Sequence, residues 1–198
     1  MSAEIDQKIE SFCINTLKGL GLLYKNRLYG QMLVLIYSFI DSAGLLDAPS
    51  SQYEATNASF KNWVTKYITS DPQINFNAVD LWSARCAVLH TFTSQSNISN
   101  RGDAKELHYF LGPIDSTEAQ AFISKIKTMQ HIPVHVDGFY QTLLNAIQKF
   151  ALDLAANCES DNAYEIRLNK VLQQYSLPPL THQSSRPPTA SADFKRWA

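Results

Sequence analysis

The nine residues "MLVLIYSFI", Met32 to Ile40, carry no charge. Read with helical spacing, they form the centre of a helix from about Leu28 to Ala43 that is apolar on nearly every side. Such a helix cannot lie on a surface and needs neighbours around its whole circumference. The other segments must therefore pack about it, which makes the fold class all-α, a helical bundle. With 198 residues the chain suits one domain and can bury a real core. The run itself is too short to span a bilayer and stops at Asp41.

Candidate neighbours follow from spacing and capping residues. Ile5, Ile9, Phe12, Leu17 and Leu20 make a first stripe, closed by Gly19 and Gly21. Asn57 or Ser59 caps a third helix from about Phe60 to Ile68, with Asp71-Pro72 turning the chain after it. Asn77 caps a fourth helix that ends near Phe92, and the polar stretch Thr93 to Lys105 reads as a loop. "ELHYFLG" and "IPVHV" have strand character. Between them "DSTEAQAFISKIK" is helical, with a cap at Asp115 or Ser116 and Ala119, Phe122, Ile123 and Ile126 on one side. This predicts a small β-hairpin-like insertion bridged by a short helix. A long helix, about Asp137 to Ala156, uses Phe139, Leu143, Ile147, Phe150, Leu152 and Leu154, and "DNAYEIRLNKVLQQY" supplies the last. From Leu177 the chain is rich in Pro, Ser and Thr and reads as a flexible tail. The expected division is a helical domain over 1–176 and a C-terminal tail over 177–198.

Composition narrows the function classes. A net charge of −1 gives no global basic field, so contact with nucleic acid needs a local patch. Cys13, Cys86 and Cys158 are far apart and form no Cys-x-x-Cys pair, which speaks against a zinc knuckle or a disulfide framework. The N-terminal residues are acidic and amphipathic, unlike a signal peptide. These features point to a soluble, reduced, cytoplasmic protein with no membrane partner. His131 and His135 have the spacing of two ligands on a helix, but Pro133 lies between them. They read as structural or solvated strand residues. No glycine-rich phosphate loop is present. Neither a metal nor a cofactor is expected.

Chemistry concentrates in "DLWSARCAVLH", Asp80 to His90, where Arg85 and His90 interrupt an apolar run. A guanidinium in such a helix needs a carboxylate, because an unpaired buried charge costs several kcal/mol. Asp41, at the end of the apolar second helix, and Asp80, about one turn before the arginine, are the candidates. His90 falls in the last turn beside the polar loop, where an imidazole can exchange protons near neutral pH. Arg101 and Lys105 in that loop, and His108 just after it, are the candidate contacts for a phosphate backbone.

Arg85-x4-His90 late in a helix, with "YGQMLVLIYSFIDSAG" before it and a polar loop and long helix after it, resembles the HEPN superfamily, the higher eukaryotes and prokaryotes nucleotide-binding domains. The resemblance spans about residues 5 to 175, as an arrangement rather than as identity. It implies a metal-independent endoribonuclease that works as a homodimer on single-stranded RNA, leaving 2′,3′-cyclic phosphate and 5′-hydroxyl ends. His90 would be the general acid or base and Arg85 would hold the scissile phosphate. It also implies a place in toxin-antitoxin or abortive-infection defence, with a cognate antitoxin or partner protein. Other members are non-catalytic modules for dimerisation or for binding nucleotide or protein. Active members frequently carry a polar residue after the arginine; here the position is Cys86.

Overall fold

A computed structural model of the chain describes residues 3–113, 116–126 and 131–171. The tail at 177–198, the end of the last helical segment beyond Val171 and the cap position Asp115 lie outside them. The described residues form eight helices and two strands: α1 (Ala3–Lys25), α2 (Tyr29–Asp47), α3 (Asn57–Tyr67), α4 (Ala78–Thr91), α5 (Asn97–Asn100), β1 (Glu106–Phe110), α6 (Ser116–Ile126), β2 (His131–His135), α7 (Val136–Ser160) and α8 (Asn162–Leu168). The fold is mainly helical.

The apolar second helix is the hub. Ile36, Tyr37, Ile40 and Ala43 are fully buried, and α2 packs against α1, α3, α4, α7 and α8. As a helix of 19 residues it is longer than its apolar centre, and by length and composition it is apolar enough to cross a membrane, though half of its most apolar window is buried inside the fold. Phe39, Trp63 and Phe150 from α2, α3 and α7 stack edge-to-face at 5.9–6.1 Å, locking three helices around one aromatic centre. Near the last of the described residues Arg167 of α8 donates to the carbonyls of Ala48, Pro49 and Gln52 at 2.7–3.2 Å, tying α8 to the exit of α2.

Local chemistry explains the helix starts. Thr56, one residue before the expected cap, opens α3, and Ser59 answers it in a reciprocal capping box. Asn77 caps α4 as expected, its side chain accepting from the N–H groups of Val79 and Asp80 at 2.8 and 3.0 Å. Gly19 and Gly21 do not end α1, which runs on to Lys25. At Gly19 a Cβ would lie 3.0 Å from Leu35 Cδ2, so the missing side chain serves close helix packing rather than termination. In α7 the expected apolar set is buried except Leu152, which is 74% exposed; Phe122 of α6 likewise faces out.

The insertion differs from the expected hairpin. β1 and β2 pair in parallel, Glu106 opposite His131 and Phe110 opposite His135. A tight hairpin turn would make them antiparallel, whereas a long connection holding a helix, here α6, allows a parallel pair. The strands are joined to the hub by Tyr37 and Tyr109, whose buried hydroxyls hydrogen-bond to each other.

Candidate active site on helix α4

Helix α4 presents Arg85 and His90 differently. Arg85 is half-buried and donates from Nε and Nη2 to one oxygen of Asp41, Oδ2, at 3.0 and 2.6 Å. Its guanidinium also sits 5.0 Å from the centre of the Trp82 ring. Asp41, on α2, lines a groove of about 860 Å³ along α1, α2 and α8, together with Lys8, Ser11, Asn15 and Lys170.

Asp80, the other candidate partner, does not reach the arginine. It is buried, accepting from the N–H of Asn77 at 3.0 Å and that of Lys105 at 2.7 Å. Both its oxygens serve backbone donors, one closing the α4 cap and one fastening the far end of the polar loop. Ser83 and Ser96 hydrogen-bond at 2.7 Å in a buried position and fasten the same loop at its start, where Ser96 caps the single turn of α5. The polar loop is therefore pinned along α4 at two points.

His90 is exposed in the last turn, and no described residue hydrogen-bonds its ring. Phe92 then takes a left-handed conformation, φ +52°, and turns the chain out of the helix two residues after the histidine. At 100° per residue, Arg85 and His90 stand about 140° apart around the axis and about 7.5 Å apart along it. The arc between them carries Leu89, Trp82, Cys86 and Val79, all partly exposed, whereas Ser83, Ala87, Asp80, Ala84 and Leu81 on the other side are buried. The two functional side chains thus bracket an apolar strip that is not fully covered.

The remaining candidates divide. Arg101 is exposed and pairs with Asp103 at 2.9 Å, and the Lys105 side chain is exposed. His108 is a half-exposed strand residue, as its place in "LHYF" suggests, with its Nε2 2.9 Å from Nδ1 of His131. Its side chain lines a cavity of about 210 Å³ with Gly30, Val88, Phe92 and Ser94, which brings it to the end of α4. His131 and His135 do not act as a pair. His135 caps α7, accepting from the N–H of Asp137 at 3.2 Å, and its other ring nitrogen lies 3.0 Å from the Gly112 carbonyl.

Sequence reasoning missed Glu106, which is buried between the two other histidines. Its alternation with His108 was visible, but its neighbourhood with His131 depends on the parallel register. Comparison of the chain with protein-family models, curated proteins and solved structures finds no match.

Proposed function

We propose that the chain is a metal-independent endoribonuclease of HEPN type, acting in the cytoplasm as a homodimer on single-stranded RNA. The observation that carries this reading is the outward strip of α4, with Asp41-anchored Arg85 on one margin and exposed His90 on the other. Within one chain the two groups point about 140° apart. A second copy laid across the strip about a twofold axis brings Arg85 of one subunit toward His90 of the other and covers the apolar residues between them.

Such a pair suffices for RNA cleavage. The ribose 2′-hydroxyl supplies the nucleophile, so the protein need only move protons and stabilise charge. His90 takes the 2′-proton or returns one to the departing 5′-oxygen. Arg85 donates to the non-bridging phosphate oxygens, and Asp41 fixes the guanidinium plane through two donors while leaving others for the substrate. Arg101 and Lys105 are exposed on the loop that returns along α4, Lys105 reaching the first turn of the helix through its backbone bond to Asp80, and can bind phosphates flanking the scissile one. The setting in toxin-antitoxin or abortive-infection defence, with an antitoxin as partner, rests on the family resemblance alone.

The test is cleavage of single-stranded RNA in excess EDTA, with the new ends identified as cyclic phosphate and 5′-hydroxyl. His90→Ala should lower kcat roughly 10²- to 10⁴-fold, the usual worth of a general acid or base. Arg85→Lys should also fall far below wild type, because a point charge cannot replace the planar fork. Wild-type protein inert toward varied RNAs would overturn the reading. One observation favours the non-catalytic alternative: Asp41 already neutralises Arg85 in a half-buried ion pair. If that is its whole role, Arg85→Ala breaks the dimer in gel filtration and there is no cleavage to lose.

A further inference from the structure

We infer that Glu106, His108 and His131 form a binding site for one divalent transition-metal ion, with zinc the best fit. Their ligand atoms all lie within 4.8 Å of one another. Glu106 Oε1 is 3.5 Å from His108 Nε2, Glu106 Oε2 is 3.6 Å from His131 Nδ1, and the two ring nitrogens are 2.9 Å apart. Around a tetrahedral zinc with bonds of about 2.0–2.2 Å, donor atoms stand roughly 3.3–3.6 Å apart. Each carboxylate contact falls at about that spacing but uses its own oxygen, so the Glu106 carboxylate has to turn to set one oxygen toward both rings. The third separation is a direct hydrogen bond between the imidazoles, which has to open by about half an ångström to admit an ion. His108 can supply the movement, since its side chain is 22% exposed while those of Glu106 and His131 are 1–2% exposed.

The fold builds this cluster rather than leaving it to surface rotamers. Glu106 and His131 are register partners in the parallel pair, and His108 lies two residues further along β1 on the same face. The sheet backbone therefore fixes all three positions. Ser94 donates its hydroxyl to Glu106 Oε1, the kind of outer contact that orients a ligating carboxylate. Two imidazoles and one carboxylate suit zinc and its neighbours, whereas calcium and magnesium take oxygen donors. Ser94 and His108 both line the 210 Å³ cavity at the end of α4, giving water or a small ligand a route to a fourth coordination position. Three protein ligands with one open position is how zinc is held where it does chemistry.

This site is separate from Arg85 and His90, and its test uses no RNA. The full chain is stripped with EDTA, dialysed, and titrated with zinc chloride by calorimetry and with cobalt chloride by visible absorption. The expected result is one ion per chain and the intense d–d bands of four-coordinate cobalt. The Tm should rise by roughly 5–10 °C when free zinc stands about 100-fold above its Kd. Ser94→Ala keeps all three ligands and should weaken zinc binding about 10- to 100-fold. His108→Ala removes a ligand and should weaken it further. Should His108→Ala not fold, Ser94→Ala and the wild-type cobalt spectrum still decide. Failure of wild type to bind zinc overturns the assignment, as does a weak six-coordinate cobalt spectrum, or an affinity unchanged in both variants.

Discussion

Arg85 and Arg167 show what the same guanidinium does in two settings. Arg167 is 5% exposed and delivers its donors to three carbonyls, so its charge is consumed in holding α8 to the end of α2. Arg85 gives two donors to a single oxygen of Asp41 and stays about one-fifth exposed. Exposed ion pairs contribute about 0–1 kcal/mol and breaking fully buried ones costs about 3–5 kcal/mol. A half-buried pair sharing one oxygen belongs between these limits. A double-mutant cycle with Asp41→Ala and Arg85→Ala, followed by urea unfolding, should give a coupling of about 1–2 kcal/mol. That coupling should shrink in high salt, since the pair is reached by solvent. A coupling near zero would mean that Asp41 does not position the arginine, and the phosphate-holding role would lose its support.

Helices were legible in the sequence wherever their signals are local. Asn77 starts α4 because its side chain serves N–H groups two and three residues ahead, a pattern written within one turn. The apolar circumference of α2 required a hub, and it is one. What depends on register or on distant partners was not legible. Asp80, about one turn before Arg85, was as good a candidate as Asp41, but the backbone of Lys105, far along the chain, claims it. The parallel pairing of β1 with β2, and with it the Glu106–His131 contact, arises from a crossover that no local motif specifies. Gly44 shows how closely two elements can depend on one atom. A Cβ there would lie 2.8 Å from the Ser59 carbonyl oxygen, where α2 crosses the start of α3. Gly44→Ala gains up to about 1 kcal/mol of helix propensity but forces the helices apart, which costs about 1–3 kcal/mol. Thermal unfolding should show a net loss with unchanged helical content, and a stabilised variant would mean the crossing can relax freely.

For the whole molecule the open question is how many copies make the working unit. The strip on α4 is incompletely covered: Val79 is 38% exposed, and Trp82, Cys86 and Leu89 are half-buried. A nearly neutral chain has little electrostatic repulsion to keep two such strips apart. Val79→Glu places a carboxylate on the exposed part of the strip, outside the i+3 and i+4 positions of both Arg85 and His90. Gel filtration should then show a dimer for wild type and a monomer for the variant, with matching circular dichroism. RNA cleavage should fall with the dimer. A stricter test exploits the split between subunits. Co-refolding Arg85→Ala with His90→Ala in equal amounts yields about half heterodimers, each with one intact Arg85–His90 pairing and one doubly deficient one. If the arginine of one subunit serves the histidine of its partner, the mixture should recover about a quarter of wild-type activity from two inactive parents. Recovery can come only from a site shared across the axis, because neither parent chain carries both groups. A mixture as inactive as its parents, formed by a wild type that does cleave RNA, would place each arginine and histidine in service of the same chain and remove the dimer from the mechanism.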